Sequence, residues 1–495
     1  MKKRKQPERS GAESAAELAF ATIKELSELL ARRKISPVEL TQMFLARIEQ
    51  HDPNLHAFIT VTREQAMEAA RRSEKRLRAG RGLGPLDGIP FALKDNIWTS
   101  GVRTTAGAKF LNEFVPREDA TVAAKLARAG MVFLGKTNLH EFAYGISTGN
   151  PHYGVARNPW NLDRIPGGSS GGSAAAIAAG LCTGSVGTDT GGSIRIPAAL
   201  CGIVGLKPTF GRVSVFGVVP LAPSLDHVGP LARSVTDAAL IYSAIAGSDP
   251  NDATTLAQPR FKPFASARDA ASRLKARFTK KRPLKIGLPR EYFFENLDDE
   301  IRKSVDAAIR EFEKLGAVTR EISLPHVSDG DDASTAIALA EATHVHQSAG
   351  WYPAHAQDYS EDVRKRLEIG RDVRAADYLA ALETRKRVRS DFEAALRDVD
   401  VILGSTVPIP APGVGVNAVQ IGGKEETVRS ALIRLNRPAN FTGLPAISLP
   451  CGWTAEGLPI GLQLIGRAWG EEQLLTIALL FEQTHPEFTR RPPGF

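Results

Sequence analysis

Gly167-Gly168-Ser169-Ser170-Gly171-Gly172-Ser173 runs straight into Ala174-Ala175-Ala176-Ile177, and Gly187-Thr188-Asp189-Thr190-Gly191-Gly192-Ser193-Ile194-Arg195 follows soon after. In isolation the first stretch reads as a flexible linker. Here it opens an alanine-rich helix, apolar segments come next, and charges are sparse from 145 to 217. Glycines in such a setting point to close backbone packing and special turns inside a core.

Outward from this centre the texture alternates. Ile89 to Leu93, Met131 to Leu134, Leu284 to Leu288, Val318 to Ile322 and Val401 to Leu403 are short apolar runs that predict strands. A pair follows at 444–450 and 458–465. Helical patterns lie between them at Thr121 to Ala129 and Asp298 to Leu315, and through 332–398. Strands separated by helices predict an α/β fold with a large mixed, mostly parallel twisted sheet sandwiched by helices. Before the first strand, helices are expected near Glu17 to Arg32, after Ser36-Pro37-Val38-Glu39, and near Gln65 to Leu77. The second has a capping box with proline at its first position, and Leu40, Phe44 and Ile48 then form one stripe. The reading is one domain over 15–495. It comprises an N-terminal helical layer (15–80), a core (86–240), a variable helical part (240–400, its first stretch a looser charged connection) and a C-terminal return to the sheet (400–495). Residues 1–14 read as a disordered basic tail.

The chain has 495 residues, 43% of them hydrophobic and 24% charged, enough for a large buried core. Its net charge of +8 sits largely in Lys2-Lys3-Arg4-Lys5 and in the stretch Arg273 to Arg282. Too few aromatic residues interleave with either to build a base-stacking surface, so both read as solvated segments and no direct nucleic-acid partner is expected. Three cysteines, Cys182, Cys201 and Cys451, make no disulfide framework, and no His/Cys cluster suggests a metal. No apolar segment follows the basic start and no run is long enough to span a bilayer, so no membrane association and a cytoplasmic location are expected.

Two motif matches are refused. Gly130-Met-Val-Phe-Leu-Gly135-Lys136-Thr137 has the spacing of a phosphate-binding loop, but its four middle residues are themselves a strand. Gly167-Gly168-Ser169-Ser170-Gly171 has the spacing of a nucleophile elbow, yet loop residues from Asn158 to Pro166 stand where a strand must precede it. The downstream histidines keep that second reading open.

Chemistry gathers elsewhere. Gly191-Gly192 before Ser193 leaves successive N–H groups uncovered, either as a tight turn or as an oxyanion hole formed with Thr190. Asp189 and Arg195 flank the loop and are suited to fixing it by charge-assisted hydrogen bonds. Lys94 closes the strand Phe91-Ala-Leu-Lys94-Asp95. Spacing favours a surface lysine there, whereas burial would lower its pKa and make it a base.

Taken together, Gly167 to Pro208, Leu86 to Asp95, Gly135 to Phe142, Ser224 to Pro230 and Asn440 to Pro445 resemble the amidase signature family, in that family's order and over most of the chain. The resemblance implies a Ser–Ser–Lys triad. Ser193 falls on the nucleophile, Ser169 on the relay serine with a cis peptide bond, and Lys94 on the base. Ser170 is expected to support them. Ala143, in Ala143-Tyr144-Gly145-Ile146, falls on the wall of the acyl site. The implied reaction is amide hydrolysis through an acyl-enzyme on a small-molecule amide, with no cofactor and no metal. Members of the family are often dimers, which leaves a homodimer open.

Three functions compete. One is a stand-alone amidase. Another is the glutaminase subunit of a tRNA-dependent amidotransferase, which has the same triad but feeds ammonia to a partner. That subunit family has an acid a few residues before its Pro-x-Asn, and Ala431-Leu-Ile-Arg-Leu-Asn-Arg-Pro-Ala-Asn440 contains none, which favours the stand-alone enzyme. A catalytically silent binding protein is the third and weakest, since all three triad positions are filled.

Overall fold

The computed structural model describes residues 11–495, except 263–268, 270–271, 273–277 and 279–281. Lys2 to Lys5 and most of the basic stretch from Arg273 lie outside the described residues.

Strands from the whole chain join one sheet. Its spatial order is β1 (Phe58–Val61), β3 (Val132–Thr137), β2 (Pro90–Lys94), β6 (Gly184–Asp189), β8 (His227–Ala232), β7 (Val204–Lys207), β14 (Ala446–Trp453), β15 (Pro459–Ile465), β11 (Val401–Ser405), β9 (Lys285–Leu288) and β10 (Val318–Glu321). Two small hairpins stand apart, β4 (Gly149–Asn150) with β5 (Gly154–Val155) and β12 (Ala418–Ile421) with β13 (Lys424–Thr427). The α/β class and the mixed sheet follow the expectation. Parallel pairing forms two blocks, β3-β2-β6 and β11-β9-β10. The run from β6 to β11 between them is antiparallel, which shifts the balance away from the parallel pairing that strand–helix alternation suggests. Short returns such as the β14–β15 turn allow only antiparallel neighbours. The central strands β2, β6, β8 and β15 are buried on both faces, as a sheet covered by helices on either side requires. The edge strand β10 is mostly exposed and carries Arg320 and Glu321, which discourage further pairing.

The expected helix over 17–32 is two helices, Gly11–Phe20 and Ile23–Ala31. Thr22 breaks it by accepting from Glu25 N at 3.1 Å while the Glu25 carboxylate takes the Thr22 N–H at 2.8 Å. That local bonding competes with helix continuation. The first of these helices starts inside the stretch read as tail. Ser36 caps Pro37–Leu55 by the same reciprocal bonds. The looser connection after 240 still holds the end of the helix Val235–Ile245.

One topological feature positions the site. From β2 the chain passes through the helix Thr121–Arg128 to β3 on one side, and β6 then lies on the other side of β2. Where strand order reverses, the carboxyl ends of the two parallel strands open a crevice. Lys94 ends β2 and Asp189 ends β6, so both stand at that edge of the sheet.

Candidate active site

Lys94 is fully buried, against the surface reading that spacing favours, because its strand is covered on both faces. Its ammonium nitrogen sits 2.7 Å from Ser169 Oγ and 2.7 Å from Thr188 Oγ1. No carboxylate lies within ion-pair distance of it among the described residues. Burial lowers its pKa to about 7, with Asp189 and Asp226 acting at longer range in the opposite sense. A buried amine of this kind is half neutral near pH 7 and can accept a proton.

Ser169 follows a cis peptide bond from Gly168. Its carbonyl accepts from His140 N at 3.3 Å, and Thr148 Oγ1 donates to Gly167 O at 2.8 Å while accepting from Gly171 N at 3.0 Å. The buried helix Gly171–Ala178 then carries the chain away. Ser170 binds across the crevice, its N–H donating to Ser193 O at 3.2 Å and its hydroxyl to Thr188 O at 3.2 Å. Ser170 thereby joins the loops of Ser169 and Ser193. The elbow reading fails on these contacts, since the Ser169 hydroxyl is met by a lysine.

Ser193 lines an open cleft together with Thr190, Gly191 and Ala143. Its loop is held by a buried ion pair. Arg195 reaches Asp189 with Nε and Nη2, both at 3.0 Å, and its remaining donors go to Gln463 Oε1 (2.6 Å), Asn440 Oδ1 (2.6 Å) and Asn436 O (3.0 Å). Burial alone would push the Asp189 carboxyl up, but Arg195, Lys207 and the Asn440 amide hold it well below the usual carboxylate range. Asp189 also takes the Gly192 N–H at 2.7 Å and the Ile194 N–H at 3.2 Å. This corrects one expectation: the Gly192 amide is spent on the Asp189 carboxylate and is not free for an oxyanion. The N–H groups of Thr190, Gly191 and Ser193 have no partner among the described residues. Gly192 is required for another reason. Its φ is +125°, and a Cβ there would stand 2.7 Å from both Asn436 Cβ and Ile196 Cδ1.

Sequence reasoning passed over several residues. Thr188 and Asn96 hydrogen-bond near Lys94, at 3.3 Å from each other. Asp226 accepts from the Thr190 hydroxyl at 2.5 Å. Thr188 was legible as the neighbour of Asp189 within the quoted motif, but Asp226 arrives from a different strand connection. A second cavity of about 200 Å³ adjoins the cleft through Ala143, Thr190 and Leu221 and reaches Thr188 and Asp226. Tyr144, Arg429 and Arg437 line the same cleft as the serine.

Lys136, from the refused phosphate-loop match, lies in β3. Its ammonium is spent on the Ile97 carbonyl and on Thr104 Oγ1 at 2.8 Å.

The sequence matches the family model described as Amidase over residues 39–475. It is 44% identical to the glutamyl-tRNA(Gln) amidotransferase A subunit of Moorella thermoacetica, covering 96% of this chain and 99% of that one. Among solved structures it is similar to one from a vestigial protein complex that reveals the evolutionary origins of an s-triazine catabolic enzyme. That likeness has a TM-score of 0.87 at 36% identity, over 94% of this chain and 98% of the other. The corresponding amidotransferase protein of Thermotoga maritima superposes with a TM-score of 0.77 at 35% identity, over 96% and 97% of the two chains.

Proposed function

The chain belongs to the Amidase family, and from that premise we propose that it hydrolyses a small amide with Ser193 as nucleophile, Ser169 as proton relay and Lys94 as base. The observation that carries the reading is the 2.7 Å contact between a buried, carboxylate-free lysine and the Ser169 hydroxyl.

Neutral Lys94 takes the Ser169 proton as Ser169 takes that of Ser193. Ser193 Oγ bonds to the amide carbon, and the carbonyl oxygen gains charge beside the open N–H groups of Gly191 and Ser193. The protonated lysine returns its proton through Ser169 to the leaving nitrogen, and the C–N bond breaks. Water then cleaves the ester, releasing the carboxylate and regenerating Ser193. Asp189 and Arg195 act by holding the loop, and Ser170 by joining it to Ser169.

A serine-directed fluorophosphonate tests this. Mass spectrometry is expected to find one adduct, on Ser193, whose formation slows severely in Lys94→Ala. An adduct elsewhere, or unchanged labelling without the lysine, would reject the assignment.

A second reading has its own support. Whole-length identity of 44% with an amidotransferase component favours an ammonia-supplying subunit over the stand-alone enzyme that the 431–440 segment favours. Purification at native abundance separates the two: a stoichiometric partner retained through size exclusion supports the ammonia-supplying role, and a chain alone or paired with itself supports the free enzyme.

A further inference from the structure

We infer that the cleft takes an amide whose acyl part ends in a carboxylate and bears no ammonium group, held by Arg429, Arg437 and the Tyr144 hydroxyl; this rests on the amide-hydrolysis reading above.

Arg429, Ile433 and Arg437 recur every four residues and line the same cleft as Ser193. Arg437 runs beside the serine loop, its Cγ 3.9 Å from where a Cβ on Gly191 would stand. Among the described residues, neither arginine has a carboxylate within ion-pair distance. Arg429 makes no hydrogen bond there and lies over the Tyr144 ring, 5.8 Å from its centroid. Arg437 gives one bond, to the Asp331 carbonyl at 3.1 Å, while the Asp331 carboxylate accepts from Tyr292 at 2.7 Å. A third guanidinium on the same ring, Arg366, shows the contrast: it is paired with Asp362 at 2.8 Å.

Burial, and the repulsion of Arg366 and Arg437, push the Arg429 pKa down to about 9, which leaves it cationic at neutral pH. Like charges gathered in a half-buried wall are unfavourable until an anion joins them. The Tyr144 hydroxyl is buried, its residue 3% exposed, and has no hydrogen-bond partner among the described residues. The Tyr144 hydroxyl is therefore a spare donor beside the arginines, which suits the two acceptor oxygens of a carboxylate. No aspartate or glutamate lines the cleft among the described residues, and Ile433 fills the place between the arginines. An ammonium on the substrate would meet two cations and no compensating acid.

The test uses glutaramate, glutamine and pentanamide, which share a five-carbon primary amide and differ in carrying a carboxylate, a carboxylate with an ammonium, or neither. Binding is measured by calorimetry on Ser193→Ala, and kcat/KM on the wild type. Glutaramate is expected to exceed both others by more than about tenfold in each measurement. Arg429→Met and Arg437→Met should each erase most of that preference. Pentanamide bound as well as glutaramate, a preference that survives both arginine variants, or glutamine matching glutaramate would overturn the inference. Binding is read without the nucleophile, so selective binding with no wild-type turnover would fault the triad and spare the subsite.

Discussion

The two walls of the cleft are built on opposite principles. The floor ties Lys94, Asp189 and Arg195 to protein partners and keeps the backbone N–H groups of Thr190, Gly191 and Ser193 open: Asp189 alone takes bonds from Gly192, Ile194, Arg195 and Asn440. The roof, from Tyr144 and the helices Val428–Arg434 and Arg437–Thr442, leaves two guanidiniums without a carboxylate and a phenol without an acceptor among the described residues. A wall whose side chains are already braced can hold reacting groups still before substrate arrives, which is where catalytic stabilisation comes from. A wall with surplus donors is completed only by a ligand. On the function proposed above, chemistry belongs to the floor and selection to the roof.

The sharpest break of this division is removal of a floor group. Lys94→Ala and Ser193→Ala should each lower kcat by at least about four orders of magnitude with the fold intact by circular dichroism. A loss of only tenfold would move the chemistry elsewhere. Next comes Asp189→Asn, which strands the Arg195 charge inside the protein. Denaturant titration should show about 3–5 kcal/mol less stability, because one member of a buried pair is left uncompensated. Third is pH. The amine works only when neutral, so kcat/KM for an uncharged amide should rise through pH 7, where Lys94 titrates, and flatten above it. At pH 6 it should stand about tenfold below the plateau. A profile falling across that range would contradict a lysine base. The smallest effect belongs to the roof: Tyr144→Phe should weaken a carboxylate-bearing amide by about fivefold and leave an uncharged one unchanged. Equal losses on both substrates would mean that the hydroxyl serves the fold.

Legibility followed the same division. The floor comes from contiguous motifs, so Ser169, Ser193 and Asp189 could be found by eye, and the Ser36 capping box is local enough to be read directly. The burial of Lys94 was not readable, since Phe91-Ala-Leu-Lys looks the same on an edge strand as in the middle of a sheet; its place between β3 and β6 is a tertiary fact. Thr22 split a helix that apolar periodicity had run together. The strand β1 was missed because its four residues are only partly covered. The roof needs residues 144, 334, 429 and 437 from separate segments, and no window of sequence contains them all.

Arg195 holds the serine loop through Asn440 and Gln463, partners that are 245 and 268 residues away along the chain. During synthesis Ser193, the proposed nucleophile, emerges long before the side chains that brace it. The growing polypeptide therefore lacks a competent centre until its last strand has docked, and every fragment that ends before Gln463 should be inert however well its front half has folded.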